Sequence, residues 1–273
     1  MFVGKVISFI NQKGGVGKTT MSFNVAHALA LNGKRVLAID LDPQGNLSHL
    51  FKANPEYNIY HLMVNSVKEL KPLHSVTHLS DVIVKGSVDI IAGGQELSGF
   101  DLTVAAINSP RQLVLKRFIE QNNLKDRYDY IVMDCPPTLG LLVINALCAS
   151  DGVIVPFRPD DFSSKGLDHF YSVLDDVEDM GIVTVPEVIL HVPNLVDHRR
   201  KQEVEDLNKI VGKIEMSMGK DKLSSVFYNK TPLVKSLAEK KSVFEFQNKE
   251  FKDLQNEFKT VAFKIEEWNN ERI

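Results

Sequence analysis

Gln12-Lys13-Gly14-Gly15-Val16-Gly17-Lys18-Thr19-Thr20 follows the apolar run Val6-Ile7-Ser8-Phe9-Ile10 and precedes a helical pattern. A strand, a glycine-rich turn and a helix N-terminus together make a phosphate cradle. The turn's N–H groups point inward, and the helix dipole favours an anion. Lys18 is placed for the β- and γ-phosphates of a nucleotide, and Thr19 for a magnesium ion. The common form of this loop needs glycine at position 12, where this chain has Gln12. It carries an extra Lys13 instead, just before Gly14-Gly15. A second lysine in a phosphate loop needs an anionic target, and that target need not belong to the same subunit.

The 273 residues suffice for one large α/β domain with a substantial core, expected to run from 1 to 273. Hydrophobic content of 44% and charged content of 25% are the balance of a soluble globular protein. No apolar run approaches the ~20 residues of a membrane span. The chain enters a strand within a few residues, which leaves no place for a signal peptide, so a cytoplasmic location is expected. Cys135 and Cys148 read as small buried hydrophobes, too few for a disulfide framework or a zinc site. Net charge is −3, but it is uneven. Residues 1–190 carry 16 Lys and Arg against 21 Asp and Glu, whereas residues 191–252 carry 13 against 9. A modest basic zone therefore lies in the last third, which either a solvated helix face or an anionic partner explains.

Apolar runs alternate with helical patterns. Strands are expected at Val3–Ile10, Arg35–Asp40, Val88–Ala92, Tyr130–Asp134, Gly152–Phe157, Glu187–Val192 and Ser225–Tyr228. Several are continuously apolar, as in a parallel sheet buried on both faces. Helices are expected at Thr19–Leu31, Arg111–Gln121, Leu141–Cys148, Lys165–Asp176, Lys201–Val211 and Lys249–Trp268. Ser109-Pro110 offers an N-cap and an N1 proline, and Asn32-Gly33 a helix stop. The alternation predicts a single doubly wound, mostly parallel β-sheet flanked by helices.

Two more motifs surround the loop. The second strand ends in Asp40-Leu41-Asp42-Pro43-Gln44-Gly45-Asn46, two carboxylates at the edge where ligands of open α/β sheets sit. One can orient or deprotonate an attacking water, and the other can support magnesium or its waters. Tyr130-Ile131-Val132-Met133-Asp134-Cys135-Pro136-Pro137 ends in the acidic position that holds magnesium through water in phosphate-loop NTPases. Pro136-Pro137-Thr138-Leu139-Gly140 then reads as a stiff turn able to sense a γ-phosphate, or simply to stop the strand.

These segments resemble the ParA/MinD family of deviant Walker-A phosphate-loop ATPases. The resemblance runs from Lys5 to about Leu174. It includes Asn145-Ala146-Leu147, and Lys165-Gly166-Leu167 brings it closest to Soj-like ParA partition ATPases. It implies ATP and Mg2+ as cofactors, and an ATP-dependent homodimer with two nucleotides sandwiched between subunits. Lys13 would reach the partner's phosphates. Gly14, Gly15, Val16, Gly17, Lys18, Thr19 and Thr20 would hold the phosphates in the chain's own subunit. Thr19 would ligate magnesium with Asp134 through water, Asp42 would be the catalytic aspartate, and Asp40 would support the magnesium or the switch region. Asn194 stands where relatives place a base-contacting residue. Asp160, in Arg158-Pro159-Asp160-Asp161, stands where they carry an acidic residue near the nucleotide.

Relatives of this kind bind DNA without sequence specificity, which implies a nucleoid-associated protein partitioning a plasmid, a chromosome region or another cargo. A ParB-like or adaptor protein would stimulate hydrolysis. Candidate DNA contacts are Arg199, Arg200, Lys201 and Lys230, the first three at a helix start where the dipole does not favour cations. The arginine that relatives carry near Phe227-Tyr228-Asn229-Lys230 is missing. No helix-turn-helix domain fits before the loop, so operator-specific repression is not expected. In the C-terminal pattern Leu254, Phe258, Val261, Ala262, Ile265 and Trp268 share one face. The opposite face is acidic where a membrane-surface helix of the MinD kind would be lysine-rich, so a helix docked on the sheet is expected. The alternatives are a MinD-like membrane-associated positioning ATPase or a ParA-like ATPase positioning a protein assembly. Cys135 and Cys148 lack the loop setting of a bridging iron–sulfur cluster.

Overall fold

A computed structural model describes residues 3–73, 77–160 and 163–272; Asp161 lies outside the described residues. Seven strands form one sheet: β1 Lys5–Phe9, β2 Val36–Asp40, β3 Ile83–Val84, β4 Asp89–Ile91, β5 Tyr130–Asp134, β6 Gly152–Phe157 and β7 Glu187–Pro193. Their spatial order is β3-β4-β2-β5-β1-β6-β7, and all pairs are parallel except β3 with β4. Alternate residues of each strand enter opposite cores. Val6, Leu37, Ile39, Ile131 and Met133 join one buried cluster, while Ile7, Phe9, Ala38, Tyr130 and Val132 join another. Both faces are thus covered, which is why these strands are almost wholly apolar. The doubly wound expectation holds.

The strand order decides where the chemistry meets. β5 lies between β1 and β2, with Asp134 in register with Phe9 on one side and Asp40 on the other. The phosphate loop leaves β1 and the acidic turn leaves β2, so three motifs far apart in sequence end side by side. Helix Lys18–Leu31 starts directly from the loop and stops at Asn32, with Gly33 at φ 79. The C-terminal helix Lys252–Asn270 lies against it, burying Leu254, Phe258, Val261, Ala262, Ile265 and Trp268.

Several expectations are corrected. Ser225–Tyr228 is not a strand: isolated bridges join Leu223 to His191 and Tyr228 to Val196, and no ladder grows between them. β3, two residues long, is too short to carry a period. The Ser109 hydroxyl makes no hydrogen bond, and Arg111–Leu113 is a 3-10 turn ahead of helix Val114–Gln121. Helix Lys201–Met218 runs through Gly212, where the sequence suggested a stop, because burial of Ile214 beyond the glycine favours continuation. Helix Thr231–Ala238 is not among the expected helices.

Candidate functional site

The loop between β1 and helix Lys18–Leu31 is braced from below. Asn11 donates its amide to the Pro156 carbonyl at 2.8 Å and accepts the Lys13 N–H at 2.8 Å. The Lys18 ammonium reaches back to the Lys13 carbonyl at 3.2 Å. Gln12, at the position of the missing glycine, hydrogen-bonds His169 of helix Ser163–Asp179, with Gly166 packed beneath it. Position 12 therefore anchors the loop to a neighbouring helix instead of forming part of the cradle.

Gly17 is demanded twice over. Its φ of 90 lies in the left-handed region, and a Cβ there would stand 2.2 Å from Asn194 Nδ2. Asn194, 1% exposed just past β7, donates that amide to the Val16 carbonyl at 2.9 Å. The amide of the residue expected at the base is thus engaged beneath the phosphate loop. Lys13 is ion-paired with Asp160, both side chains about one-third exposed at 36% and 32%. The structure thus brings Lys13 and Asp160 together within one subunit.

Asp134 ends β5 with no solvent exposure, and neither carboxylate oxygen has a hydrogen-bond partner. Burial pushes its carboxyl well above the usual carboxylate range. The charge of Asp40 adds to that rise, while the nearby Thr19 hydroxyl and Lys18 ammonium oppose it. Burial likewise lowers Lys18, against the pull of Asp134. An orphaned buried carboxylate beside a threonine hydroxyl is a hard-oxygen donor set that fits a divalent cation such as magnesium.

Asp40 is differently employed. Its Oδ2 accepts the Ser48 N–H at 2.8 Å and the Ser48 hydroxyl at 2.7 Å, and its Oδ1 accepts the Asp42 N–H at 3.1 Å. Ser48 Oγ in turn accepts the Gly93 N–H at 2.9 Å. Burial raises Asp40 to about 6 even against these bonds. This side chain anchors the turn that follows β2, and of the two carboxylates considered for magnesium Asp134 is the one not committed to backbone N–H groups. Gly93 belongs to the same device, since a Cβ there would meet the Asp40 carbonyl at 2.7 Å. Sequence reading missed Ser48 and Gly93, although Gly93-Gly94 directly after an apolar strand was a usable signal. Asp42 is 7% exposed, its Oδ1 accepts the Gln44 N–H at 2.9 Å, and it lines a cleft of about 350 Å³ closed on the other side by Pro136, Pro137 and Thr138.

The basic candidates are balanced. Arg199 forks onto Asp197 through two bonds of 2.9 Å and holds that carboxyl well below the usual range. Arg200 and Arg158 share Glu203, each at 3.1 Å. Lys201 is exposed. Lys230, 28% exposed, pairs with Glu257 of the C-terminal helix at 2.7 Å.

The family model for the AAA domain matches residues 4–186. The chain is 40% identical over 168 residues to the sporulation initiation inhibitor protein Soj of Bacillus subtilis, covering 60% of this chain and 62% of that protein. It is 36% identical over 170 residues to the chromosome-partitioning ATPase Soj of Treponema pallidum, covering 60% and 61%. It therefore spans about three-fifths of the length of these relatives. An ATP complex of McdA from Cyanothece superposes with a TM-score of 0.80 at 18% identity, over 97% of each chain, a likeness of fold. Cobyrinic acid a,c-diamide synthase from Mycobacterium smegmatis, with a bound ATP analogue and magnesium, matches with a TM-score of 0.67 at 28% identity, over 77% of this chain and 80% of that one.

Proposed function

Because the chain belongs to the ParA/MinD family, we propose that it is a magnesium-dependent ATPase that dimerises on ATP and positions a cargo along DNA. The observation that carries this reading is Asp134, a fully buried carboxylate at the foot of a phosphate loop, with the Thr19 hydroxyl and the Lys18 ammonium beside it. Gly14–Thr20 bind the phosphates, with Lys18 as the cation of the subunit's own site. Thr19 and Asp134 would hold magnesium, which when bound neutralises charge on the phosphate oxygens. Asp42 orients and deprotonates the attacking water, and Asp40 keeps Asp42 in place through its backbone N–H. Lys13 leaves Asp160 to reach the phosphates of a second copy, so dimerisation depends on an intact γ-phosphate. Asp160 and Asn194 border the nucleotide in this scheme, Asn194 through the loop that it braces.

Non-specific DNA binding falls to Arg199, Arg200 and Lys201, whose contact with phosphates would be sequence-blind and salt-dependent. A stimulating partner protein of the ParB or adaptor kind sets the rate of hydrolysis. Among the described residues no helix is long and apolar enough to cross a membrane. The apolar face of the C-terminal helix is buried in the core it shares with helix Lys18–Leu31, which favours DNA over a lipid surface as the matrix. The test is an Asp42→Ala variant with ATP, ADP or no nucleotide, followed by size-exclusion chromatography and by binding to random-sequence duplex and anionic liposomes. The expected result is an ATP-trapped dimer bound to duplex alone. Wild-type turnover by Asp42→Ala, or binding to liposomes and not duplex, would overturn the proposal.

A further inference from the structure

Beside the Asp42 turn lies a second concavity, separate from the nucleotide loop. It has a volume of about 730 Å³ and runs from Pro43, Gln44 and Gly45 past Ser48 to Gly93 and Gly94. Its cations are Lys52 and Lys240, with His49 beside them, and no carboxylate lines it, in a chain whose net charge is −3. Of the acids beside it, Asp40 beneath the floor is bonded to Ser48 at 2.7 Å, and Glu96 to the Asn58 amide at 2.9 Å. Lys240 Nζ stands 3.5 Å from His49 Nδ1, so the two rims meet across the groove.

The two lysines occupy an unusual backbone position. Lys52 follows helix Asn46–Leu50 at φ 55, and Lys240 follows helix Thr231–Ala238 at φ 51. Both helices close with the same hydrogen-bond pattern. Lys52 N–H donates to the His49 carbonyl and Ala53 N–H to that of Ser48; Lys240 N–H donates to Leu237 and Lys241 N–H to Ser236. These are Schellman caps, whose left-handed residue is usually glycine because other side chains are strained there. Part of that strain is offset by a cation at a helix C-terminus. That attraction acts at any last-turn position, so it does not account for both lysines standing at the strained ones and lining one groove.

We infer that this groove binds an acidic, extended segment of a partner protein, with Lys52 and Lys240 pairing its carboxylates. Charge complementarity selects the occupant, and concavity selects its class. A duplex presents convex rows of phosphates that meet protruding cations, whereas an extended strand fits a channel of this size. The polar lining of Gln44, Asn46, Asn54 and Gln95 supplies donors and acceptors for a peptide backbone. The floor of the groove is Ser48 and Gly93, the pair that holds Asp40 and through it the Asp42 N–H. A peptide seated here therefore touches the turn that carries Asp42. The inference goes beyond the proposed ATPase, and its test reads binding alone, so either can fail without the other.

The experiment is fluorescence polarisation of a fluorescein-labelled hexaglutamate peptide with the full chain, nucleotide-free and saturated with ADP. A Lys52→Gly, Lys240→Gly double variant removes both charges while placing the preferred residue at each cap, so its melting temperature should hold or rise. Should it fall, Lys52→Asn with Lys240→Asn repeats the test, because asparagine also tolerates the left-handed region. The expected result is saturable, salt-sensitive binding by wild type that weakens at least about tenfold in the double variant, the loss of two charge-assisted contacts. Absence of saturable binding, or equal binding by wild type and variant, would overturn the proposal. So would a variant that loses random-sequence duplex and keeps the peptide, since the groove would then serve nucleic acid.

Discussion

Gly17→Ala is a severe test of how the phosphate loop is supported. The added Cβ must adopt φ 90 and stand 2.2 Å from Asn194 Nδ2. Left-handed backbone costs an ordinary residue about 1–2 kcal/mol. Displacing Asn194 breaks its 2.9 Å bond to the Val16 carbonyl, and an unmet buried polar group costs about 1–3 kcal/mol more. The expected destabilisation is about 2–5 kcal/mol, measured by urea denaturation without nucleotide. Gly14→Ala is the control, since nothing lies within 4 Å of its Cβ and its φ is not positive; it should stay within about 0.5 kcal/mol of wild type. Asn194→Ala alone should cost about 1–3 kcal/mol. With Asn194 truncated there is no amide left to displace, so the double variant should fall short of the sum of the singles by about 1–3 kcal/mol. Strict additivity, or a Gly17→Ala protein as stable as wild type, would refute the bracing role given to Asn194.

Three further outcomes are expected. Asp134→Asn relieves a buried charge yet removes a hard-oxygen donor, so isothermal titration should find magnesium-dependent ADP binding weakened at least about tenfold; an unchanged magnesium dependence would clear Asp134 of the metal role. Asp160→Asn frees Lys13 from its intramolecular partner, so ATP should produce dimers at lower protein concentration by analytical ultracentrifugation, whereas Lys13→Ala should weaken the dimer and spare monomeric nucleotide binding. His191 has no solvent exposure, hydrogen-bonds the Tyr171 hydroxyl, and is pushed down to about 4 by burial. A depressed histidine contributes stability that is present above the unfolded value near 6.5 and is lost as pH falls toward 4. That loss is about 3 kcal/mol, and His191→Asn should flatten this part of the pH–stability curve.

The parts of the site legible in the sequence are those that local chemistry dictates. Glycines at 15 and 17 permit a backbone with φ of 73 and 90, and Lys18 and Thr19 follow at fixed offsets on the helix that starts there. Asp40, Asp42 and Asp134 terminate apolar strands, so their place at the carboxyl edge of a parallel sheet follows from sequence pattern. The short β3, the run of Lys201–Met218 through Gly212 and the fate of Ser225–Tyr228 did not follow, because each depends on which neighbour completes a ladder or buries an apolar side chain.

By itself the sequence determined the doubly wound sheet and the residue types of the phosphate loop, since apolar periodicity and glycine spacing act over a few residues. Only the tertiary structure decided what each polar side chain does there. Asp40 became an anchor because Ser48 and the Asp42 N–H converge on it, while Asp134 stayed uncommitted to backbone N–H groups because β5 carries it between β1 and β2. Lys230 met Glu257, and Lys52 came to share a groove with Lys240, across nearly two hundred residues of chain. Charges and hydrogen-bonding groups act through distance in space, and a strand order that sets β5 between β1 and β2 cannot be read along the chain.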